Sequence, residues 1–344
     1  MRIALCSSFV PFVDGGYRNI VNWLEHYLKE RGHQVEVVYI PEVDSFDSLF
    51  REMMAYRWID LNSADRIICF RPQSHLIPHK NKVLWFIHHI RIFYDLWDTP
   101  YRDFPEDGKI LGMRNALMKV DTNALHEATK IFTNSEVVSN RLKIFNNCDS
   151  EVLYPPVFKP ERFFSNDFND EIVCICRLVH HKRQLLLIKA LEFTKTPVRL
   201  RLCGTSSGES YPLTLLSLAK DLGVEDRVII ENRWITEEEK ILLLSDCLAA
   251  AYLPFDEDSY GYPTLEAAHA SKCIVTTKDS GGVMEFVQDQ RNGFVCDPSP
   301  KSLAASLDKL YLQKNVAREM GINAHSRVFE LNISWDYVLD KLLA

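Results

Sequence analysis

Short apolar runs rich in β-branched residues alternate with helical patterns along the chain, and this alternation constrains the fold more than any other feature. It favours parallel sheets with helices on both faces, because neighbouring parallel strands need a long crossover connection. We predict a first helix from Ile20 to Gly32 and another from Lys182 to Phe193. The predicted strands are Ile3–Cys6, Gln34–Ile40, Arg66–Phe70, Lys82–Ile87, Lys130–Thr133, Ile172–Cys176, Val198–Cys203, Val228–Ile230, Cys247–Leu253, Ile274–Thr276 and Phe294–Cys296.

A break near Leu153–Val157, where two prolines precede a polar stretch, divides the pattern into two halves. Each half has the size of a typical domain, so we predict two Rossmann-like, doubly wound α/β domains that face each other across a cleft. Their predicted bounds are residues 1–157 and 158–328. A C-terminal helix over residues 329–344 has an apolar stripe with which to pack back on the first domain, formed by Trp335, Val338, Leu339 and Leu342.

The composition excludes several classes of protein. The 344 residues include 40 Lys+Arg and 47 Asp+Glu, and a net charge of -7 argues against binding to nucleic acid. No apolar run reaches the roughly 18 residues of a membrane-spanning helix, and the N-terminus has no signal-peptide pattern. The nine cysteines include no Cys-x-x-Cys pair. We therefore expect buried, reduced thiols in a cytoplasmic protein, at Cys6, Cys69, Cys174, Cys176, Cys203, Cys247, Cys273 and Cys296 among others.

Two loops that follow predicted strands contain residues suited to an anionic ligand, and ligands of parallel sheets bind where the strands end. The first loop contains Gly15 and Gly16, which allow a ligand to approach the backbone; a simple glycine turn explains them equally well. The second loop contains Arg177 and Lys182 beside a predicted helix N-terminus, where the helix dipole prefers anions. A bound diphosphate explains both cations, and two solvated surface cations are the alternative.

The segment Asp256–Ala268 is the strongest local signal. Pro263 suits the first turn of a helix, and Glu266 would lie near that helix N-terminus. Asp258 and Glu266 bracket a turn that contains Gly261. Carboxylates accept hydrogen bonds from sugar hydroxyls and free backbone N–H groups hold phosphate, so one site can recognise a nucleotide sugar. A carboxylate that only complements the helix dipole is the alternative for Glu266.

The spacing of Asp258 and Glu266, an acidic residue and a Glu separated by seven residues, resembles the motif of family-4 retaining glycosyltransferases with the GT-B fold. The N-terminal glycine loop, Arg177 with Lys182, and the later segments 279–287 and 292–294 also occur in that family's order. The resemblance covers nearly the whole chain. Asp258 stands where the family has Glu, so its reach to the donor sugar is in question, and Cys176 stands where the family has Gly.

The resemblance implies a role for each matching residue. Arg177 and Lys182 bind the donor diphosphate and stabilise the leaving nucleotide, Glu266 holds ribose hydroxyls, and Asp258 lies near the transferred sugar. His88 lies near the donor sugar and acceptor, and His89 is the alternative residue for this position. A histidine with a purely structural role is the other interpretation. The full donor set is Gly15, Gly16, Arg177, Lys182, Trp234, Ile235, Asp258, Tyr260, Gly261, Tyr262, Pro263, Thr264 and Glu266. The expected acceptor contacts are His89, Arg91, Tyr94 and Asp95.

The resemblance also implies an activity. It is the retaining transfer of a hexosyl group from a nucleotide sugar to a saccharide or lipid-linked saccharide, in the synthesis of a cell-surface polysaccharide or glycolipid. No metal ion and no further cofactor are expected, and contact with the inner face of a membrane is compatible with such an acceptor. The alternatives are another GT-B activity, such as an epimerase or an inverting transferase, and a catalytically inactive protein that binds a nucleotide sugar.

Overall fold

Two six-stranded sheets, in which all neighbouring strands run parallel, organise the part of the chain that the structure describes. This computed structural model describes residues 1–11, 16–42, 46–99, 102, 104–105 and 107–344. They divide into two compact units, each with its own sheet. Unit 1 comprises Met1–Pro155 and Ser334–Ala344, and unit 2 comprises Pro156–Ile333.

The sheet of unit 1 contains all five strands predicted for this part of the chain, and one short strand more. Its strands are β1 (Arg2–Phe9), β2 (Gln34–Pro41), β3 (Arg66–Cys69), β4 (Lys82–Phe86), β5 (Lys130–Thr133) and the unpredicted β6 (Glu151–Val152), in the spatial order β2-β1-β3-β4-β5-β6. The helices between them are α1 (Gly16–Glu30), α2 (Leu49–Arg57), α3 (Gly108–His126) and α4 (Glu136–Asn146).

Alternate residues of the central strands pack on opposite sides of this sheet. On one side Ala4 and Leu84 join a core formed with the inner faces of α2 and α3. On the other side Leu5 and Trp85 join a core formed with α1. Because successive side chains of a strand point to opposite faces, short strands that are apolar throughout can support two helical layers.

Unit 2 repeats this architecture with six strands, all of them predicted. They are β7 (Glu171–Ile175), β8 (Arg199–Cys203), β9 (Val228–Glu231), β10 (Ala249–Ala251), β11 (Ile274–Thr277) and β12 (Gly293–Cys296), in the order β12-β11-β10-β7-β8-β9. The helices are α5 (Gln184–Leu191), α6 (Ser210–Asp221), α7 (Glu237–Asp246), α8 (Tyr262–His269), α9 (Val283–Phe286), α10 (Pro300–Leu312) and α11 (Lys314–Glu330).

The prediction that Lys182 opens a helix is wrong. Lys182 ends a short 3-10 turn, His180–Lys182, and α5 begins at Gln184. Between them Arg183 has a left-handed backbone with φ of 55°. A right-handed helix cannot run through such a residue, so the turn and the helix are separate elements.

The last helix of the chain, α12 (Trp335–Leu343), belongs to unit 1 although it follows unit 2 in sequence. Its apolar stripe is buried in the core that contains α1 and alternate residues of β1, β3 and β4. The rings of Tyr27 and Trp335 stack with centroids 4.8 Å apart. At the surface, Arg31 pairs with Asp336 at 2.6 Å and with Asp340 at 3.2 Å.

All nine cysteines carry free thiols; eight are buried and Cys176 is half-buried. The Sγ atoms of Cys174 and Cys176 lie 3.8 Å apart at the end of β7. None of the helices in the described part of the chain is long and apolar enough to cross a bilayer. Within the same residues no group of three or more His, Cys, Asp and Glu side chains is placed to hold a metal ion.

If α12 completes the core of unit 1, Leu339→Ala should destabilise that unit. We expect the free energy of unfolding to fall by about 2–5 kcal/mol, as for other buried leucines replaced by alanine. Chemical denaturation followed by circular dichroism measures the change. Lys341→Ala, on the same helix, removes an exposed ion pair with Glu151 of β6 and should cost much less. Equal effects of the two substitutions would contradict the packing of α12.

Candidate functional site

Four loops of unit 2 meet at one edge of its sheet. They follow β10, β7, β8 and β9, which are neighbours in the sheet and run parallel, so their carboxyl ends lie side by side. The loops contain most of the donor residues predicted from the sequence. Open parallel sheets bind ligands at this edge, where backbone N–H groups and helix N-termini are available.

Arg177 is exposed in the loop after β7. Among the residues that the structure describes, none accepts a hydrogen bond from its guanidinium, whereas its carbonyl oxygen accepts one from Gln184 Nε2 at 2.9 Å. The neighbouring loop approaches very closely: a Cβ on Gly204 would lie 2.1 Å from the carbonyl oxygen of Cys176. The backbone around Arg177 is therefore tightly fixed while its side chain can bind an anion.

Gly204 is a site residue that the sequence analysis missed. Its φ of 146° and the proximity of Cys176 exclude any other residue there without a backbone shift. The sequence feature that could have identified Gly204 is its position directly after the predicted strand Val198–Cys203.

Lys182 is the second predicted phosphate ligand, but it already has an acidic partner. It is 7% exposed, its Nζ donates to the hydroxyl of Tyr252 at 2.7 Å, and it forms a short ion pair with Glu257. Glu257 is not among the site residues predicted from the sequence. The structure makes it the counter-ion of Lys182, so a phosphate at this position would share the lysine with Glu257.

Arg183 connects the loops after β7, β10 and β11. Its guanidinium donates to the carbonyl oxygens of Leu253 at 2.7 Å and Pro254 at 2.8 Å. Two bonds of 2.8 Å join it to the carboxylate of Asp279, and one of 2.7 Å to the hydroxyl of Thr277. The sequence analysis missed this residue, because its partners lie 70 to 97 positions away.

The acidic segment after β10 is held against the loop after β11. Glu257 forms an isolated parallel bridge with Gly281, and the N–H of Gly282 donates to the carbonyl oxygen of Glu257 at 2.8 Å. A Cβ on Gly282 would lie 2.6 Å from the Cα of Ser259. The two glycines therefore permit the close approach that places Asp258, half-buried, next to the start of α8.

The first turn of α8 combines several of the predicted donor residues. Gly261 precedes it with φ of 71°, and a Cβ there would lie 2.4 Å from the ring of Tyr252. Pro263 lies in the first turn, as predicted for a helix start, and Tyr260 is buried. Thr264 is 0% exposed, and none of the described residues hydrogen-bonds to its hydroxyl oxygen. A buried hydroxyl without a partner is unfavourable, so this turn is suited to an additional polar ligand.

Glu266 is buried two residues further along α8 and pairs with Lys240 of α7, with Oε1 and Nζ 2.6 Å apart. Lys240 also pairs with Glu237 at 2.6 Å. Burial lowers the pKa of Lys240, but the two carboxylates outweigh it and raise the pKa above its usual value. Lys240 is therefore a permanent cation that orients Glu266. The sequence analysis missed it, because the pair joins two different helices.

The loop after β9 contains Trp234 and Ile235 of the predicted donor set. Ile235 is buried, whereas Trp234 is 64% exposed and does not pack in the core. Arg233 is held by Glu231 at 2.6 Å and by Glu239 at 2.9 Å. The exposed indole is thus presented from a fixed backbone, and a ring that is free on its faces can stack on a planar ligand.

In unit 1 the structure argues against an acceptor contact for His89 and Tyr94. Each is 2% exposed. The Nε2 of His89 lies 2.8 Å from Oδ1 of Asn146, its ring stacks on Tyr94 with centroids 4.2 Å apart, and the hydroxyl of Tyr94 donates to Asp121 at 2.6 Å. Both residues are core residues with hydrogen-bond partners inside unit 1.

The other predicted residues of unit 1 differ in their surroundings. Arg91 donates to Asp95 at 2.8 Å, so these two charges compensate each other. His88 is half-buried, and its Nδ1 lies 2.6 Å from the carbonyl oxygen of His89. Burial, reinforced by a nearby arginine, lowers the pKa of His88 to about 3. His88 is therefore neutral near pH 7. Gly16 is the first residue of α1, and Gly15 lies outside the described residues.

His89 provides a test of this assignment to the core. Burial lowers its pKa from 6.5 to about 4, so between these values the unfolded chain binds a proton that the folded chain does not. The free energy of unfolding should therefore decrease as the pH falls from about 6.5 to 4, by up to about 3 kcal/mol from this residue. His89→Gln should reduce this decrease in urea denaturation at pH 7 and pH 4.5. His126→Gln, at an exposed position of α3, is the control, and an unchanged acid dependence in His89→Gln would contradict the prediction.

The Lys182–Glu257 pair gives a second test. Glu257→Gln removes the counter-ion, and we expect unfolding to become easier by about 1–3 kcal/mol because a buried ammonium loses its charged partner. If Lys182 also binds phosphate, a nucleoside diphosphate should stabilise the variant more than it stabilises the original chain. Thermal unfolding with and without the nucleotide measures both effects.

Glu238→Gln is the matched control, since Glu238 is an exposed glutamate of unit 2 that pairs with Arg162. A nucleotide effect that is the same in all three proteins would show that Lys182 is only a structural cation.

Comparison with known proteins shows what this architecture is similar to. Residues 158–327 match the family model described as glycosyl transferases group 1. Alpha-1,3/1,6-mannosyltransferase ALG2 of Dictyostelium discoideum is 36% identical over 110 residues, which are 32% of this chain and 26% of that relative. Human ALG2 is 23% identical over 324 residues, 83% of this chain and 72% of the relative. The GDP-mannose-dependent alpha-(1-6)-phosphatidylinositol monomannoside mannosyltransferase of Mycobacterium tuberculosis is 30% identical over 184 residues, 50% of this chain and 46% of the relative.

Solved structures agree with the fold over almost the whole chain. Sucrose-phosphate synthase from Thermosynechococcus elongatus has a TM-score of 0.78 at 15% identity, covering 98% of this chain and 97% of that one. Anabaena HepE in complex with UDP has a TM-score of 0.73 at 18% identity, covering 99% of both chains. Unit 2 is thus similar to the glycosyl transferases group 1 over residues 158–327, and the two parallel-sheet units have the GT-B fold.

Proposed function

We propose that the protein is a retaining glycosyltransferase that moves a hexosyl group, with mannose as the first candidate, from a nucleotide sugar to a saccharide or glycolipid acceptor. The observation that carries the proposal is the edge of the unit 2 sheet. Arg177, in the loop after β7, has a guanidinium without a partner among the described residues. Thr264 and Glu266, in α8 after the neighbouring strand β10, supply a buried hydroxyl that the described residues leave without a hydrogen bond and a buried carboxylate.

The chemical classes of these groups correspond to the parts of a nucleotide sugar. A guanidinium and the N-terminus of α8 suit a diphosphate, because the fork of an arginine and free backbone N–H groups both donate to phosphate oxygens. A carboxylate oriented by Lys240 suits the two hydroxyls of a ribose. An exposed Trp234 suits a base. In this proposal unit 2 binds the donor and unit 1 binds the acceptor.

The choice of mannose rests on the relatives. Three of those compared are named mannosyltransferases, and the name of the Mycobacterium tuberculosis enzyme specifies GDP-mannose. HepE was solved with UDP, so uridine donors are the second choice. The acceptor of the mycobacterial relative is a phosphatidylinositol mannoside by its printed name, which supports a glycolipid acceptor at a membrane surface for this protein.

In the proposed reaction the bond between the anomeric carbon and the diphosphate oxygen breaks, and a bond to the acceptor oxygen forms on the same face. The leaving phosphate oxygen takes the acceptor proton, so a separate general base is not required. Arg177 and Lys182 stabilise the negative charge that grows on the diphosphate, which lowers the barrier because the charge is larger in the transition state. Neutral His88 can accept a hydrogen bond at Nε2, because its Nδ1 donates to a carbonyl oxygen.

Thermal unfolding against GDP-, UDP-, ADP-, CMP- and dTDP-sugars tests donor binding. A donor at about one hundred times its dissociation constant should stabilise the protein by roughly 2.7 kcal/mol. Arg177→Ala should abolish most of that stabilisation, since it removes the exposed phosphate ligand. Arg199→Ala, which removes an exposed arginine at the opposite end of β8, is the matched control. If Arg177→Ala and Arg199→Ala respond alike to every donor, the site is not at this edge.

Transfer itself is tested with the donor so identified and a panel of mannosides and lipid-linked saccharides. The proposal expects an α-linked product from an α-linked donor and full activity in a chelator, because cationic side chains replace a metal ion. An inverted product would favour another GT-B activity, and donor binding without transfer or hydrolysis would favour an inactive binding protein.

A further inference from the structure

Two thiols of unit 2 lie together at the point where β7 ends. Cys174 is inside the strand and Cys176 directly follows its last residue, and residues two apart in a strand have their side chains on the same face of the sheet. Their Sγ atoms are 3.8 Å apart. Cys174 is 1% exposed, whereas Cys176 is half-buried. The pair therefore combines one residue that is partly accessible to solvent with a protected thiol beside it.

The surroundings of Cys176 favour its thiolate. The thiol of Cys174 is within hydrogen-bond distance of its Sγ, and Nε2 of Gln184 donates to the same atom at 3.3 Å. The hydrogen bond from Cys174 lowers the pKa of Cys176 most, the charge of Lys182 and the amide of Gln184 lower it further, and burial opposes them. The same hydrogen bond, together with burial, raises the pKa of Cys174. A thiolate with a protonated thiol beside it is the arrangement that reacts with oxidants.

We propose that Cys174 and Cys176 are a modification site, at which hydrogen peroxide introduces a reversible disulfide that displaces Arg177. The thiolate of Cys176 attacks one oxygen of the peroxide, so that an S–O bond forms, the O–O bond breaks and hydroxide leaves. The Sγ of Cys174 then attacks the sulfenic sulfur; the S–S bond forms, the S–O bond breaks, and the oxygen leaves as water with the proton of Cys174. The two sulfurs together lose two electrons, which the peroxide gains.

The disulfide changes the backbone that precedes Arg177. Two residues of a strand span about 6.6 Å, close to the upper limit of about 6.8 Å between bridged Cα atoms, so joining the two sulfurs pulls on the chain. Cys174 is held inside β7, which lies between β10 and β8. Cys176 lies beyond the strand, where its N–H donates to the carbonyl oxygen of Cys203 at 3.0 Å. Cys176 is therefore the residue that moves, and Arg177 moves with it.

The test uses the full chain treated with hydrogen peroxide, and its first two measurements need no nucleotide. After digestion, mass spectrometry should find the peptide that contains both cysteines lighter by two hydrogens, and dithiothreitol should reverse the change. Hydrogen exchange of residues 176–183 should become faster, because the hydrogen bond from Cys176 to Cys203 is lost. The third measurement rests on the proposed function: stabilisation by GDP or UDP in thermal unfolding should lose most of its size on oxidation and return on reduction.

Two variants separate the bridge from oxidation in general. Cys174→Ala leaves Cys176 able to gain an oxygen but unable to close the disulfide, so the exchange of residues 176–183 should stay as in the untreated variant. Cys296→Ala is the matched control, because it removes another buried thiol of unit 2, one that lies 3.1 Å from the hydroxyl of Ser306. It should respond to peroxide like the original chain. Circular dichroism establishes that each variant is folded.

Three results overturn the proposal: no link between Cys174 and Cys176 after peroxide treatment, a link that leaves the exchange of residues 176–183 unchanged, and an equal change of exchange in Cys174→Ala. If neither GDP nor UDP stabilises the reduced chain, the failure lies in the proposed function. The mass and exchange measurements still decide whether the two thiols are a modification site.

Discussion

The unit 2 site depends on the hydrogen bonds and the ion pair that the guanidinium of Arg183 forms. It joins the carbonyl oxygens at the end of β10 to the carboxylate of Asp279 after β11, from a residue located between β7 and α5. Burial would raise the pKa of Asp279, but its hydrogen bonds with Arg183 and Thr277 hold the pKa below its usual value. This ionised pair fixes three loops relative to one another before any ligand binds.

Three cations of one loop thus have three different environments. Arg183 is fully engaged in holding the loops, Lys182 is shared with Glu257 and Tyr252, and Arg177 is exposed on a rigid backbone. These different environments allow three cations to lie close together without strong mutual repulsion, because carboxylates neutralise Lys182 and Arg183 and leave only Arg177 for the ligand. The left-handed backbone of Arg183 contributes to this arrangement, because it separates the 3-10 turn that ends at Lys182 from α5.

The sequence predicted the eleven longer strands, since each is a short apolar run, and it located Arg177 and the Asp258–Glu266 segment at the strand ends. Of the helices, it placed only α1, α5, α8 and α12. It also missed Lys240, Arg183 and the role of Glu257, because their partners are brought close only by the assembled sheet. Local patterns can identify a loop that binds ligand, whereas ion pairs between distant elements require the fold.

The position of α12 has a consequence for biosynthesis. A ribosome completes all of unit 2 before it makes the helix that covers Leu5 and Trp85 of the first sheet. Until then, one face of that sheet lacks part of its cover and exposes apolar side chains to water, which favours association with chaperones or with other nascent chains. Unit 2 has no such requirement, because its core comes from one continuous segment. The later half of the chain can therefore reach its final structure before the earlier half does.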